Sequence, residues 1–336
     1  MILTPKAAER VSRETAAQGF DLAARALRVD WGLESLDAKQ VQRWGEASGE
    51  VLTCCRDAEV QRHREGVRPE PCPNVPQLLV IGLDGGRYQH KDKTADTNSR
   101  WREDKVLTVS SYVPGDGQER KPELLVTTHV ATSRDAAAIG KMAIVEAERR
   151  GYRQAQVVIG MGDGGNWIDP LFEREFQLDA RIIDWCHANE HLWNCAKAVH
   201  GADTPEAAMM GERMEALLWD GRIDEVIGML QVESNRLGPP QEADPPQHAR
   251  RVLHQNVGYF TQHKPHMDYP AFRAKGWPIG SGVTEAGVKQ FNKRVKGTER
   301  FWRDAGIEAV LSLRGNWVSQ DQRWERYWAN RPAYVK

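Results

Sequence analysis

Two aspartates follow apolar, strand-like runs, and a pair of glycines comes after each of them. Asp84 stands in "VIGLDGGR" and Asp163 in "VVIGMGDGG". If the two strands are neighbours in one sheet, both carboxylates emerge at the same edge, where α/β sheets collect their ligands. We expect the glycines after Asp84 to turn the chain sharply and to leave its carboxylate uncrowded at the strand end. Because Asp-Gly-Gly is also common turn chemistry, the interpretation depends on a third acidic residue.

Glu285 is that third residue, and it is the single acidic side chain of "WPIGSGVTEAGVKQFNKRVKG", residues 277–297. A carboxylate at the start of a helix is stabilised by the helix dipole. Carboxylate oxygens are the ligands that hard divalent cations prefer, and two such ions can activate one oxygen and stabilise another in phosphodiester displacement. The sequence therefore predicts that Asp84, Asp163 and Glu285 bind Mg²⁺ (or Mn²⁺), as two ions.

The helix that begins near Val283 also carries a basic surface. Residues 289–303 contain six basic side chains and one acidic one, although the formal net charge of the whole chain is −1. Such a local excess suits the DNA backbone, while a solvated helix face is the alternative interpretation. A tryptophan flanked by basic residues could stack on unpaired bases, or serve as a core or interface anchor. The predicted DNA contacts are Lys289, Asn292, Lys293, Arg294, Lys296, Arg300 and Trp302.

The elements that must position these residues follow from hydrophobic patterning. Three β-rich runs joined by short loops should pair antiparallel, and alternating helices and strands follow them. The predicted strands are 77–84, 105–113, 123–132, 155–163 and 180–185, and the predicted helices are 133–151, 167–176 and 186–200. The order βββαβαβα is what a ribonuclease-H-like fold requires.

The chain divides into four predicted parts. A proline-rich stretch, residues 64–77, reads as a linker because proline cannot continue a helix. The fold class is therefore α/β, a ribonuclease-H-like mixed sheet with a helical insertion, plus an N-terminal helical domain. The parts are a helical region that could bind DNA, pack as an appendage or contact a second copy (1–70), the first part of the core (77–200), the helical insertion (201–272), and the last part of the core with C-terminal helices (273–336).

Composition and hydrophobic patterning indicate the cellular compartment of the protein. The 336 residues are 40% hydrophobic, which is ordinary for a globular chain. Five cysteines show no CxxC pair, which favours a reducing compartment over secretion. No uncharged apolar run reaches the ~18 residues that a membrane span needs. We expect a cytoplasmic protein with no membrane partner.

The motif segments resemble those of the ISKra family of insertion-sequence transposases, a branch of the DDE group. The similar segments are "VIGLDGGR", "VVIGMGDGGNWI", "IIDWCHANEHL", residues 277–297 and "IEAVLSLRGNWVSQDQRWERYW". The resemblance covers residue 77 to the end, and it implies metal-dependent DNA cleavage and strand transfer with Asp84, Asp163 and Glu285 as the triad. It also implies element ends and target DNA as partners, a homodimer or higher oligomer on DNA, and a bacterial cytoplasm, with nucleoid association when bound.

The histidines next to the triad allow a rival interpretation. "HANEH" matches the inverted zinc-peptidase pattern, in which His187 and His191 would bind zinc and Glu190 would act as base. In the transposase interpretation Asp184, His187 and His191 lie beside the catalytic edge and orient DNA or a metal ligand. A catalytically inactive DNA-binding derivative is the third hypothesis. We favour the transposase because the peptidase leaves the three separate carboxylates unexplained.

Overall fold

The computed structural model describes residues 3–32, 34–95, 97–297 and 299–331. Its elements alternate in the predicted order through the middle of the chain. In chain order they are α1 (Pro5–Ala17), α2 (Phe20–Trp31), α3 (Ala38–Arg64), β1 (Leu78–His90), β2 (Trp101–Val113), β3 (Glu123–Thr132), α4 (Ala136–Arg149), β4 (Val157–Gly162), α5 (Ile168–Glu175), β5 (Ala180–Ile183), α6 (Trp185–His200), α7 (Pro205–Trp219), α8 (Ile223–Leu237), α9 (Ala249–His263), a 3₁₀ turn (Lys264–His266), α10 (Tyr269–Ala274), α11 (Gly282–Val295), β6 (Phe301–Trp302), α12 (Asp304–Val318) and α13 (Arg323–Ala329).

The centre of the molecule is a mixed sheet with strand order β3-β2-β1-β4-β5. β1 pairs antiparallel with β2, and β2 pairs antiparallel with β3. On the other side β1 pairs parallel with β4, and β4 pairs parallel with β5. The predicted βββαβαβα order is confirmed. β6, which the sequence analysis did not predict, pairs parallel with the end of β1 through Gln89–Phe301 and His90–Trp302.

The prediction of a sharp turn after Asp84 is wrong. β1 continues to His90, and Gly85 and Gly86 pair with β2 opposite Lys105 and Asp104. At both glycines a Cβ would meet a carboxylate side chain of β2. A Cβ at Gly85 would lie 2.5 Å from the Glu103 Oε1 atom, and one at Gly86 would lie 2.6 Å from the Asp104 Oδ2 atom. Asp84 therefore lies within a long strand, just past the last residue of β1 that pairs with β4.

Alternation along β1 divides the packing between the two sheet faces. Leu79, Ile81 and Leu83 pack with α4 and α5 in one apolar cluster. Leu78 and Val80 face the other side, where they belong to a cluster with α6 and the helices α7 to α10. Asp84 has the same parity as this second group, so its side chain belongs to the face that α6 and α11 cover.

The N-terminal helices pack on the C-terminal ones. The Thr4 Oγ1 atom accepts a hydrogen bond from the Ala7 N–H group and caps α1. Ala8, Ala16 and Leu52 are buried against Leu313 and Trp324 in one apolar cluster. Within the described residues, no helix combines the length and the apolar character that crossing a membrane requires.

Candidate active site

Backbone N–H groups orient the two aspartates at the carboxyl edge of the sheet. The Asp84 Oδ1 atom accepts a hydrogen bond from the Gly85 N–H group at 2.6 Å. Asp163 is the first residue after β4, and its Oδ1 atom accepts from the Gly165 N–H group at 2.8 Å. Because β1 and β4 are parallel neighbours, their carboxyl ends meet at one edge.

Close packing of α11 on the sheet brings Glu285 to the same edge. The Thr284 Oγ1 atom lies 2.8 Å from the Thr108 Oγ1 atom of β2, so the first turn of α11 is fixed above the strands. Gly82 makes this approach possible, since a Cβ there would lie 2.0 Å from the Thr284 Oγ1 atom. Val288 and Phe291 pack into the apolar cluster beneath the helix.

These elements enclose a small cavity of about 210 Å³ whose lining is strongly acidic. Five carboxylate side chains and one imidazole line it, and no lysine or arginine of the described residues does. The full lining is Leu83, Asp84, Gly162, Asp163, Asp184, His187, Glu190, Ser281 and Glu285. The structure thus brings the three predicted acidic residues together with Asp184 and His187.

The mutual repulsion of these carboxylates is visible at Asp84. Burial raises the pKa of Asp84 to about 6, and the charges of Asp163 and Glu285 act in the same direction. The Gly85 N–H group and His187 oppose that rise without cancelling it. A cation in the cavity would relieve this repulsion, because an opposite charge favours the ionised form.

Asp184 ties the start of α6 to the start of α11. Its side chain is buried, its Oδ1 atom accepts from the Cys186 N–H group at 2.7 Å, and its Oδ2 atom accepts from the Ser281 hydroxyl. Ligand atoms of Asp184, Cys186 and Glu285 lie within 4.8 Å of one another. Burial raises the pKa of the Cys186 thiol, and the nearby Asp184 and Glu285 carboxylates add to that rise.

The two histidines of α6 have different surroundings. The His187 Nε2 atom lies 3.6 Å from the Asp163 Oδ2 atom. His191 instead stacks on Tyr259, with ring centroids 4.2 Å apart, and its Nδ1 atom lies 2.6 Å from the Asn256 Oδ1 atom. In the described part of the chain, the one compact group of three metal-ligand side chains is that of Asp184, Cys186 and Glu285. That group includes Glu285 but neither histidine, and neither Asp84 nor Asp163. Of the peptidase pattern, His187 and Glu190 line the cavity and His191 does not, so we do not propose a zinc peptidase.

The predicted DNA-contacting residues divide into exposed and buried sets. Lys289, Lys293 and Lys296 are exposed on α11 and just after it. Lys289 donates to the Glu285 Oε2 atom at 3.0 Å, one helical turn away. The Asn292 Oδ1 atom accepts from the Arg87 N–H group of β1 at 3.4 Å. The exposed lysines extend from the acidic cavity along the helix.

The predicted DNA contacts of Arg294 and Trp302 are wrong, because both side chains are buried. Arg294 is 1% exposed, donates to the Thr15 carbonyl at 2.5 Å, and lies over the Phe20 and Trp302 rings. Trp302 is 5% exposed and donates to the Val295 carbonyl at 2.8 Å. Arg300 is half-buried, and it donates to main-chain carbonyls at the end of α11. These groups join the N-terminal helices to α11.

The sequence analysis missed residues of α9 that contact the site. Asn256, Tyr259 and His263 are spaced three and four residues apart, which places them on one helix face. The Tyr259 hydroxyl donates to the Asp163 carbonyl at 3.0 Å. The spacing could have revealed a polar row on a helix, but nothing in it says which surface that row meets.

Comparison with known proteins adds a distant structural similarity. No family model matches the chain, and no curated protein matches it. Among solved structures, the Drosophila P element transposase strand transfer complex is similar with a TM-score of 0.34 and 8% sequence identity, over 89% of this chain and 98% of that chain. A similarity of this degree supports no conclusion about function, so the geometry of the acidic cavity must carry any proposal.

Proposed function

We propose that the protein is a DDE transposase, which cleaves a phosphodiester at the end of an insertion sequence and joins the freed 3′ hydroxyl to target DNA. The observation that carries the proposal is the convergence of Asp84, Asp163 and Glu285 on one cavity beside a lysine-bearing helix. The resemblance of the motif segments to ISKra transposases supports it. So does the strand order, which suits a ribonuclease-H-like core formed by residues 77–200 and 273–336 around a helical insertion.

The side chains of the cavity fit a divalent cation. Their donor atoms are carboxylate oxygens, which Mg²⁺ and Mn²⁺ prefer, and the lining holds five carboxylates but no lysine or arginine of the described residues. Asp84, Asp163 and Glu285 would hold the ions, which we propose number two. Bound there, such ions would make water a better nucleophile and stabilise charge on the departing oxygen.

The protein's own groups prepare this site in three ways. Hydrogen bonds from the Gly85 and Gly165 N–H groups hold one oxygen of Asp84 and of Asp163. His187 can hold a proton at Nε2, 3.6 Å from the Asp163 Oδ2 atom, where it is close enough to influence charge at the cavity. Asp184 keeps the starts of α6 and α11 together through Cys186 and Ser281.

The exposed lysines supply the surface for the nucleic acid. Lys289, Lys293 and Lys296 would neutralise backbone phosphates and deliver the strand to the cavity, because phosphate contacts fix the register of a protein on DNA. Two element ends must come together for strand transfer, so we propose a dimer or larger assembly on DNA, in the bacterial cytoplasm.

The test is DNA cleavage by an isosteric variant. Wild-type protein and Asp163→Asn are incubated with labelled duplex DNA or supercoiled plasmid and Mn²⁺, and nicked and joined products are measured. We expect the variant to lose at least about 100-fold in rate, since misplacing one group at a positioned site costs that much. Asp220→Asn, at an exposed carboxylate that ends α7, is the matched control and should keep full activity.

Three results would contradict the proposal. Equal cleavage by wild type and Asp163→Asn would remove Asp163 from the reaction. Metal-dependent binding of DNA with no cleavage by the wild type would favour the inactive DNA-binding derivative. A peptidase activity that disappears in His191→Ala would instead revive the zinc hypothesis.

A further inference from the structure

Helix α9 belongs to the helical segment between α6 and α11, yet one of its faces meets the candidate active site. Asn256, Tyr259 and His263 form that face. They contact two separate parts of the site, the loop that follows β4 and the middle of α6. A segment that lies outside the sheet is therefore built against the residues that the proposed chemistry uses.

Tyr259 makes the most direct of these contacts. Its hydroxyl donates to the Asp163 main-chain carbonyl at 3.0 Å. Its ring stacks on the His191 ring at a centroid separation of 4.2 Å and an interplanar angle of 17°. One side chain thus touches both the loop that carries Asp163 and the helix that carries His187.

His263 supports the same loop one turn further along α9. A Cβ at Gly164 would lie 2.9 Å from the His263 Nε2 atom, so the imidazole lies directly against the Gly164 backbone. The His263 Nδ1 atom is 3.2 Å from the Asp169 Oδ2 atom, and Arg181 donates to the other oxygen of Asp169 at 2.8 Å. Although burial acts in the opposite direction, His263 and Arg181 lower the pKa of Asp169 to about 2. The support beneath the loop is therefore a charged, fixed network.

Asn256 orients His191, the histidine of α6 on which Tyr259 stacks. Its Nδ2 group donates to the Val252 carbonyl at 2.8 Å, which orients the amide so that Oδ1 accepts from the His191 Nδ1–H group. His191 lies one turn from His187, with ring centroids 5.8 Å apart. His187 is itself 3.6 Å from Asp163, so α9 contacts the Asp163 main chain directly and is connected to His187 through His191.

We infer that Tyr259 is a positioning residue, whose hydrogen bond to the Asp163 main chain fixes the Asp163 carboxylate for a divalent cation. The inference rests on the proposed function in one respect, that Asp163 is a cation ligand. Partners that orient a ligand from behind commonly change metal affinity by 10- to 100-fold when they are removed. A single hydrogen bond to the main chain belongs at the lower end of that range.

The experiment compares Tyr259→Phe with Tyr152→Phe. Both changes remove one hydroxyl that bonds a main-chain group, but the Tyr152 hydroxyl bonds Gln177, before β5 and away from the cavity. Mn²⁺ binding to the full-length protein without DNA is measured from the free-ion electron paramagnetic resonance signal. We expect about tenfold weaker binding in Tyr259→Phe and wild-type binding in Tyr152→Phe.

Hydrogen exchange separates positioning from general loss of structure. Exchange should rise in the peptide that covers residues 161–167 of Tyr259→Phe and stay at the wild-type level in β2 and β3. Wild-type Mn²⁺ affinity in Tyr259→Phe would overturn the inference, and so would a rise in exchange across the whole sheet.

The same measurements distinguish this inference from the proposed function. If Mn²⁺ binds and the binding depends on Tyr259, but the wild type cuts no DNA, the inference stands and the transposase proposal fails. If DNA is cut and Tyr259→Phe binds Mn²⁺ normally, the reverse holds. If Asp163→Asn binds Mn²⁺ as well as the wild type does, the inference is overturned, because Asp163 is then not a ligand.

Discussion

Glu146 and Asp84 show how differently this fold treats a negative charge that is partly or fully shielded from solvent. Glu146 is 2% exposed, and Arg323 and Arg149 bond its carboxylate at 2.5 and 2.6 Å. Although burial favours the neutral acid, these two arginines lower the pKa of Glu146. Burial raises the pKa of Asp84 to about 6 and the charges of Asp163 and Glu285 add to that rise, while the Gly85 N–H group opposes it.

The difference indicates which carboxylates are structural and which await a partner from outside. Where the chain supplies its own cations, as at Glu146, the charge holds helices and loops together. Around Asp84 the lining contains five carboxylates and no lysine or arginine of the described residues, and the nearby Lys289 bonds Glu285. A cation from solution would balance the remaining negative charge. Buried charges are otherwise too costly to retain.

The largest expected effect comes from removing Arg323, one of the two arginines that bond Glu146. Arg323 bonds both Glu146 and Asp321. Arg323→Met removes that shared cation and leaves Glu146 with Arg149 alone. We expect the free energy of unfolding to fall by about 3 to 5 kcal/mol, the usual cost of removing one partner of a buried pair. Denaturant titration measures it. Arg222→Met, which breaks an exposed pair with Glu225, should cost less than about 1 kcal/mol, and equal losses would refute the contrast.

Asp104 sharpens the comparison because it has neither an internal cation nor a place in the cavity lining. It is fully buried, and neither carboxylate oxygen accepts a hydrogen bond from another side chain. Burial raises its pKa to about 7, and the neighbouring Glu103 charge adds to that rise. Asp104 is thus protonated at low pH, and the stability this supplies is lost as pH rises from about 4 through about 7.

The expected stability of Asp104→Asn follows from this loss of stability at high pH. The variant should be more stable than the wild type by about 4 kcal/mol at pH 8, since each pKa unit corresponds to ~1.4 kcal/mol, and equally stable at pH 4. Denaturant titrations at the two pH values measure the difference. A variant that is less stable at pH 8 would show that the ionised carboxylate has a stabilising partner.

Mn²⁺ should raise the free energy of unfolding by binding at the cavity that contains Asp84. A ligand present at about 50 times its dissociation constant stabilises the folded state by about 2 kcal/mol. We expect that rise in the free energy of unfolding for the wild type and for Asp220→Asn, and its loss in Asp84→Asn. An equal Mn²⁺ effect in Asp84→Asn would place the cation elsewhere on the protein.

Much of the sheet could be predicted from the sequence, for reasons that particular residues make clear. β3, Glu123–Thr132, has the predicted bounds because its β-branched run is bounded by a proline before it and a helix cap at Asp135 after it. β1 was predicted too short. Local turn chemistry favours an end at Asp84, but the pairing of Gly85 and Gly86 with β2 overrides it, and pairing between distant strands is invisible in local sequence.

Prediction of the site residues from local sequence has the same limit. Asp84, Asp163 and Glu285 could be selected because their flanking glycines and strand or helix positions are local features. Arg294 could not be told from Lys293, since charge composition does not reveal which helix face the N-terminal helices cover. Tyr259 was missed because its role depends on where the helical segment folds back, and no pattern within α9 determines that.

The smallest expected effect tests the same contrast for positive charges on α11. Lys293 is exposed with a partner expected from outside, a DNA phosphate, whereas the neighbouring Arg294 has the Thr15 carbonyl inside the fold. Lys293→Gln should weaken DNA binding at every sequence and reduce the slope of log affinity against log salt by about 1, with unchanged stability. Trp302→Phe, which alters a buried ring, should keep the wild-type slope. Each released counter-ion contributes to the slope separately, so fluorescence anisotropy titrations at several salt concentrations can resolve one phosphate contact. A slope that is changed by Trp302→Phe and not by Lys293→Gln would reverse the assignment of the two faces.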